Sequence, residues 1–196
     1  MSAITHLDLT GFEQIDHLVW QHEQGTVVLS LHYFNLRPDL PAPLHDQAVL
    51  FAGTARRTAA AGGGLIDAAV EPVDGIPALR QIVKVPHPQG HGQVFLGSYT
   101  IPRATGSTVL KLQAPETGTT GLREALVFAE LGGPERMYRQ SPYAPDATGG
   151  LPCHWADDER YDARFPDHPL SVTRALLRRL LPSIRLDDRF KALPAF

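Results

Sequence analysis

Asp74-Gly75, set between the apolar runs 65–73 and 76–85, narrows what this chain can become more than any other feature. A two-residue connection reverses a chain compactly when both residues accept positive φ, as Asp tolerates and Gly favours; this is the type I′ hairpin turn. A hairpin commits its strands to antiparallel pairing. Residues 93–101 and 107–114 extend the commitment with two more apolar runs around a turn at 102–106. Pro77, just inside the second run, suits a strand start or an edge because it has no N–H to donate. Upstream, 18–23 and 26–34 are predicted strands joined at Gln24-Gly25. The latter alternates Val27, Leu29, Leu31 and Tyr33 against Val28, Ser30 and His32, the period of a strand with one apolar side.

Three helices are expected around these strands. Leu44, Ala48, Phe51, Ala52, Ala55 and Ala59 recur at helical spacing, Asp46 suits the start, and Gly62-Gly63-Gly64 ends the segment. Thr119 or Thr120 is the expected cap of a second helix to residue 131, with Ala125, Phe128 and Leu131 inward. Ser171 is the expected N-cap of a third, whose stripe of Leu176, Leu177, Leu180, Leu181 and Ile184 opposes Arg174, Arg178 and Arg185. The prolines at 38, 41 and 43 make 36–43 a loop. The expected organisation is one domain over 1–196: a lead-in at 1–17, a core at 18–131, a long Gly/Pro/Tyr-rich loop at 132–169 and a helix at 170–186. The fold class is α+β, an antiparallel sheet of about six strands flanked by helices.

Composition removes several function classes. A net charge of −3 over 196 residues supplies no basic face for nucleic acid. Cys153 is the single cysteine, so an intramolecular disulfide is excluded and a reducing compartment fits. The first residues lack a basic start followed by an apolar core, and no apolar run approaches membrane-spanning length. The expectation is a cytoplasmic protein with no membrane insertion and no cofactor.

The order β-β-α-β-β-β-β-α resembles the PsbP/DcrB-like α/β/α sandwich, over roughly residues 18–131, on element order alone. The stretches TTGLREA and DDERYDARFPDHPLS, with the closing Arg/Leu helix, are similar to an uncharacterised actinobacterial family. The sandwich resemblance implies adaptor, chaperone-like or immunity roles, such as service to a secreted toxin, more often than catalysis.

The candidate site residues follow from local chemistry. QAPETGTTGLREALVFAEL, residues 113–131, runs from a strand through a Gly/Thr-rich turn into a helix, with Glu116, Arg123 and Glu124 at the junction. A carboxylate before a helix start with Arg on its first turn suits a polar ligand or partner, and equally suits satisfaction of helix-end amides. Tyr138, Tyr143 and Trp155 lie in the long loop and, with Arg123, are of the types that carry interface energy. The leading expectation is therefore a non-enzymatic protein- or peptide-binding accessory protein using Glu116, Arg123, Tyr138, Tyr143 and Trp155. The alternative is a small-molecule enzyme, hydrolase or isomerase, with acid–base groups drawn from Glu116, His87, His91, His154 and Asp167. No metal is assigned: His87 and His91 sit in a Pro/Gly loop that cannot align them as a helix would, with His32, His154 or a carboxylate as third-ligand guesses. Cys153-His154 reads as an incidental thiol, because catalytic Cys/His pairs meet from distant positions. Asp157 to Asp167 reads as an acidic run able to pair with the Arg-rich helix after it.

Overall fold

A computed structural model describes residues 2–23 and 25–196; Gln24, half of the expected Gln24-Gly25 turn, lies outside them. In chain order the strands are β1 (Ile4–His6), β2 (Phe12–Asp16), β3 (Val19–His22), β4 (Val28–Phe34), β5 (Gly64–Val73), β6 (Ile76–Pro86), β7 (Gln93–Arg103), β8 (Gly106–Pro115) and β9 (Arg185–Leu186). The helices are α1 (Gln47–Ala60), α2 (Leu122–Leu131), α3 (Pro134–Met137), α4 (Pro169–Leu180) and α5 (Asp188–Lys191). Among the described residues β2 to β8 form one seven-stranded sheet in the order β2-β3-β4-β8-β7-β6-β5, antiparallel throughout, and β1 pairs with β9. The chain is thus α+β, an antiparallel sheet with helices on it.

The hairpin at Asp74-Gly75 forms with φ of 47° and 80°, the doubly positive turn its residue types favour. Asp74 is fixed further, accepting from the Leu186 amide and the Lys191 ammonium. From there the chain meanders back across the sheet until β8 lies beside β4, with Gln113 opposite Val28. Pro77 belongs to β6, an interior strand, but pairing of β6 with β7 begins only at Leu79, so its missing N–H faces no strand on that side.

Helix α4 packs on β7 and β8, and α1 packs on β5. Under α4 the core joins Leu29, Ile82, Phe95, Leu110, Leu112, Leu177 and Leu180. Gly97 permits this approach, since a Cβ there would stand 2.5 Å from Thr173 Cγ2. A smaller cluster of Leu50, Leu79 and Ala42 lies beneath α1.

Three expectations are corrected and one open point is decided. Residues 1–17 are more than a lead-in: Ile4 and Phe12 are buried, and β2 edges the main sheet. Residues 132–169, open from sequence between an ordered wrap and a mobile loop, are an ordered wrap burying Met137, Ala144, His154, Asp157 and Tyr161. Helix α4 starts at Pro169 with His168 as its cap, freeing Ser171 for other work. Finally α2 is turned differently from the expected orientation. Gly121 precedes it in the left-handed conformation with no side-chain cap; its buried residues are Arg123 and Val127, Leu131 is half-buried against Val127 as expected, and Ala125 and Phe128 are exposed.

Candidate functional site

The inversion of α2 has a local cause. Arg123 is 1 % exposed and its guanidinium is fully engaged. Nε donates to the Ala156 carbonyl at 2.7 Å, one terminal nitrogen to Ser171 Oγ at 2.8 Å, and the other to the Asp158 carbonyl and the Asp162 carboxylate, each at 2.9 Å. Arg174 meets the same Asp162 carboxylate at 2.8 Å and also donates to the Asp157 carbonyl. A rigid fork of donors suits several fixed carbonyls at once, and its hydrogen bonds offset the cost of burying the charge. The acidic run therefore pairs within the chain, with Glu159 taking Arg178 at the rim.

With Arg123 drawn inward, α2 presents its opposite side outward. Leu122, Leu126 and Phe128 are 51 %, 40 % and 41 % exposed, and Ala125 and Ala129 are exposed between them. Five apolar residues on the open side of one ten-residue helix reverse the usual amphipathic arrangement.

Below the first turn of α2 lies a pocket of about 500 Å³ at the end of the sheet where β8 finishes and β4 begins. Glu116, Leu122, Phe165, Asp167, His168 and Val172 are among the residues lining it. Glu116 accepts from the Gln93 amide at 2.8 Å and the Gly121 amide at 2.9 Å. His168 takes the Leu170 amide on Nδ1, which leaves the proton on Nε2, 3.7 Å from Glu116 Oε1. The starts of two helices thus meet over a carboxylate and an imidazole. Burial opposes ionisation of Glu116, yet His168 and the two amides outweigh it and hold its carboxyl below the usual range. Burial pushes the neighbouring Glu124 carboxyl upward.

A second buried cluster locks the wrap onto the sheet. Lys84 on β6 is 1 % exposed; its ammonium donates to both Asp157 carboxylate oxygens, at 3.0 and 2.8 Å, and to His154 Nε2 at 2.8 Å. Burial drives the His154 imidazole down to about 4, only partly opposed by Asp157, so it is neutral at pH 7. The sign of the pH dependence follows. Unfolded, His154 takes a proton near pH 6.5; folded, near 4; between these the unfolded chain binds more protons, and stability falls as pH is lowered. The loss approaches about 3 kcal/mol. Thermal melts from pH 7 to 4.5 are expected to show it, with His154→Gln flatter over that window; parallel profiles would contradict the assignment.

The five residues expected to bind do not gather at one place. Glu116 and Arg123 border the pocket. Tyr138 is 52 % exposed, with its ring edge-on to His154. Tyr143 accepts from the Ala68 amide and packs edge-on to Phe51 of α1. Trp155 lies between the guanidiniums of Arg139 and Arg160, 4.4 and 4.9 Å from its ring centre. Of the acid–base candidates, Asp167 joins Glu116 at the pocket, whereas His154 is consumed by Lys84. His87 and His91 occupy the β6–β7 loop, outside the pocket lining. Burial raises the Cys153 thiol, the opposite of an activated nucleophile. From sequence, Asp167-His168 offers an acid–base pair but reads more simply as a helix lead-in, and Lys84 has no role. The signal for Lys84 was a cation set between Val83 and Val85, two residues from Ile82 on the same face of the strand.

Among the described residues no helix is long and apolar enough to cross a membrane. Comparison with protein-family models, with curated proteins and with solved structures finds no match.

Proposed function

We propose that this chain is a protein- or peptide-binding accessory protein whose docking face is the outer side of α2. The carrying observation is the inverted helix: Arg123 buried, and Leu122, Ala125, Leu126, Phe128 and Ala129 exposed. Leu122, Ala125, Leu126 and Ala129 are spaced i, i+3, i+4 and i+7, the seam one helix offers another, and the two alanines permit close approach. The occupant this fits is an amphipathic helix of a protein partner, laid along α2 by its apolar side. A chaperone-like or immunity role, as the PsbP/DcrB-like resemblance implies, needs such a face.

Replacing Leu122 and Leu126 together by Ser tests this. The protein that co-purifies with the wild type is expected to be lost from the double variant and kept by Val49→Ser, an equally exposed change on α1. Retention by both variants would contradict the docking face. Sedimentation of the purified protein identifies a second copy as the occupant if the mass doubles. One observation favours the enzyme reading, the Glu116–His168 pair facing the pocket, and equal retention by both variants would transfer the function there.

A further inference from the structure

The pocket holds a feature that partner binding does not use. One donor atom each from Glu116, Glu124 and His168 lies within 4.8 Å of the others. These groups come from the end of β8, the first turn of α2 and the cap of α4; Arg123 ties α2 to α4 through Ser171, and the Gly121 amide ties the start of α2 to Glu116. Two of the three groups carry an orphan: Glu124 Oε2 and His168 Nε2 are sealed from solvent without a hydrogen-bond partner among the described residues. The His168 side chain is only 9 % exposed and its Nε2 points at Glu116. Buried polar atoms without partners are uncommon, and each calls for an explanation.

We propose that Glu116, Glu124 and His168 bind one divalent transition-metal ion, Zn²⁺ or Mn²⁺, at the inner end of the pocket. Two carboxylates and an imidazole form a mixed oxygen/nitrogen set suited to these ions, softer than a calcium site and harder than a thiolate one. Three protein ligands with a pocket alongside leave further positions for water or a ligand atom. Glu116 is held as a ligand should be, by the Gln93 and Gly121 amides, and each of its oxygens keeps a lone pair free of them. Donor atoms on one ion at about 2.1 Å stand roughly 3.4 Å apart; Glu116 and His168, at 3.7 Å, are close to that already, and the set, within 4.8 Å, closes by at most roughly 1.4 Å. The flexible Glu124 side chain supplies most of that movement.

Binding has a local cost. Nε2 coordinates only after its proton moves to Nδ1, and Nδ1 then no longer accepts the Leu170 amide. Metal binding therefore gives up the side-chain cap of α4. The same exchange supplies a signature, since the His168 ring changes from the Nε2–H to the Nδ1–H tautomer.

The experiment is titration calorimetry of the full chain with ZnCl₂ and separately with MnCl₂, alongside Glu124→Gln, His168→Asn and the double change His87→Asn/His91→Asn. One equivalent of metal is expected to bind the wild type and the loop double variant alike. Glu124→Gln and His168→Asn are expected to weaken it at least as much as the roughly 10-fold that loss of an outer-shell partner costs. Should either variant fail to fold, nitrogen NMR of wild-type His168 decides, since the tautomer must switch on adding Zn²⁺. Absence of binding, binding unchanged in both variants, loss in the loop variant, or an unchanged tautomer would each overturn the site.

Discussion

Lys84→Met is expected to lower stability by about 3–5 kcal/mol, the cost of breaking a fully buried ion pair from one side. The Asp157 carboxylate it leaves behind is 4 % exposed, and its remaining donor is the His154 amide at 3.2 Å. At this chain length that is a fall of roughly 10 °C in melting temperature. The same reasoning predicts partial rescue. Lys84→Met with Asp157→Leu removes both charges, and apolar replacement of a buried pair is often near neutral, so the double variant should melt above the single one. A double variant melting lower still would assign the pair a positive contribution that the desolvation argument denies it. The exposed pairs Arg56–Asp146 and Arg164–Glu130 are a useful contrast: with half of each side chain in water, their loss should cost at most about 1 kcal/mol.

Arg123→Ala should rival it at about 3–5 kcal/mol, because it strands the carbonyls of Ala156 and Asp158 and leaves Asp162 with Arg174 and the Ser171 hydroxyl as its donors. Its effect should also be local. Among the described residues α2 contributes only Arg123 and Val127 as buried anchors, and it rests on α3 and the 155–157 turn instead of on the sheet. Amide exchange should accelerate across 122–131 while β6, β7 and β8 keep their protection. Uniform acceleration over the whole chain would show instead that α2 and the sheet unfold together. Arg123→Lys should recover little, since an ammonium cannot span four acceptors that a planar fork reaches.

The sheet was legible because its signals are local. Asp74-Gly75, the alternation in 26–34 and the paired apolar runs each specify pairing without knowledge of the rest of the chain. Residues 1–17 were misread because β1 depends on a partner 180 residues away, and a short strand with one buried residue carries almost no period. The direction of α2 was misread for a physical reason. LREALVFAEL is apolar nearly all round, so its pattern cannot choose a face; the choice was made by one arginine finding the carbonyls of a wrap that the sequence presents only as a Gly/Pro-rich stretch. His168 was hidden similarly. Its role as cap of α4 is readable once the helix is known to start at Pro169, but its proximity to Glu116 depends on two helix starts meeting at one end of the sheet.

Inward placement of Arg123 and outward placement of Leu126 are two sides of one claim, that α2 is displayed for a partner. A photo-reactive phenylalanine analogue at position 126, with the same group at Val49 as a control of similar exposure, tests it in cells that make the protein. The expected result is a crosslink from position 126 to a single protein, within an apolar helical segment, that disappears when Leu122 is also changed to Ser. Crosslinking at 126 no stronger than at 49, or spread over many proteins, would contradict the account.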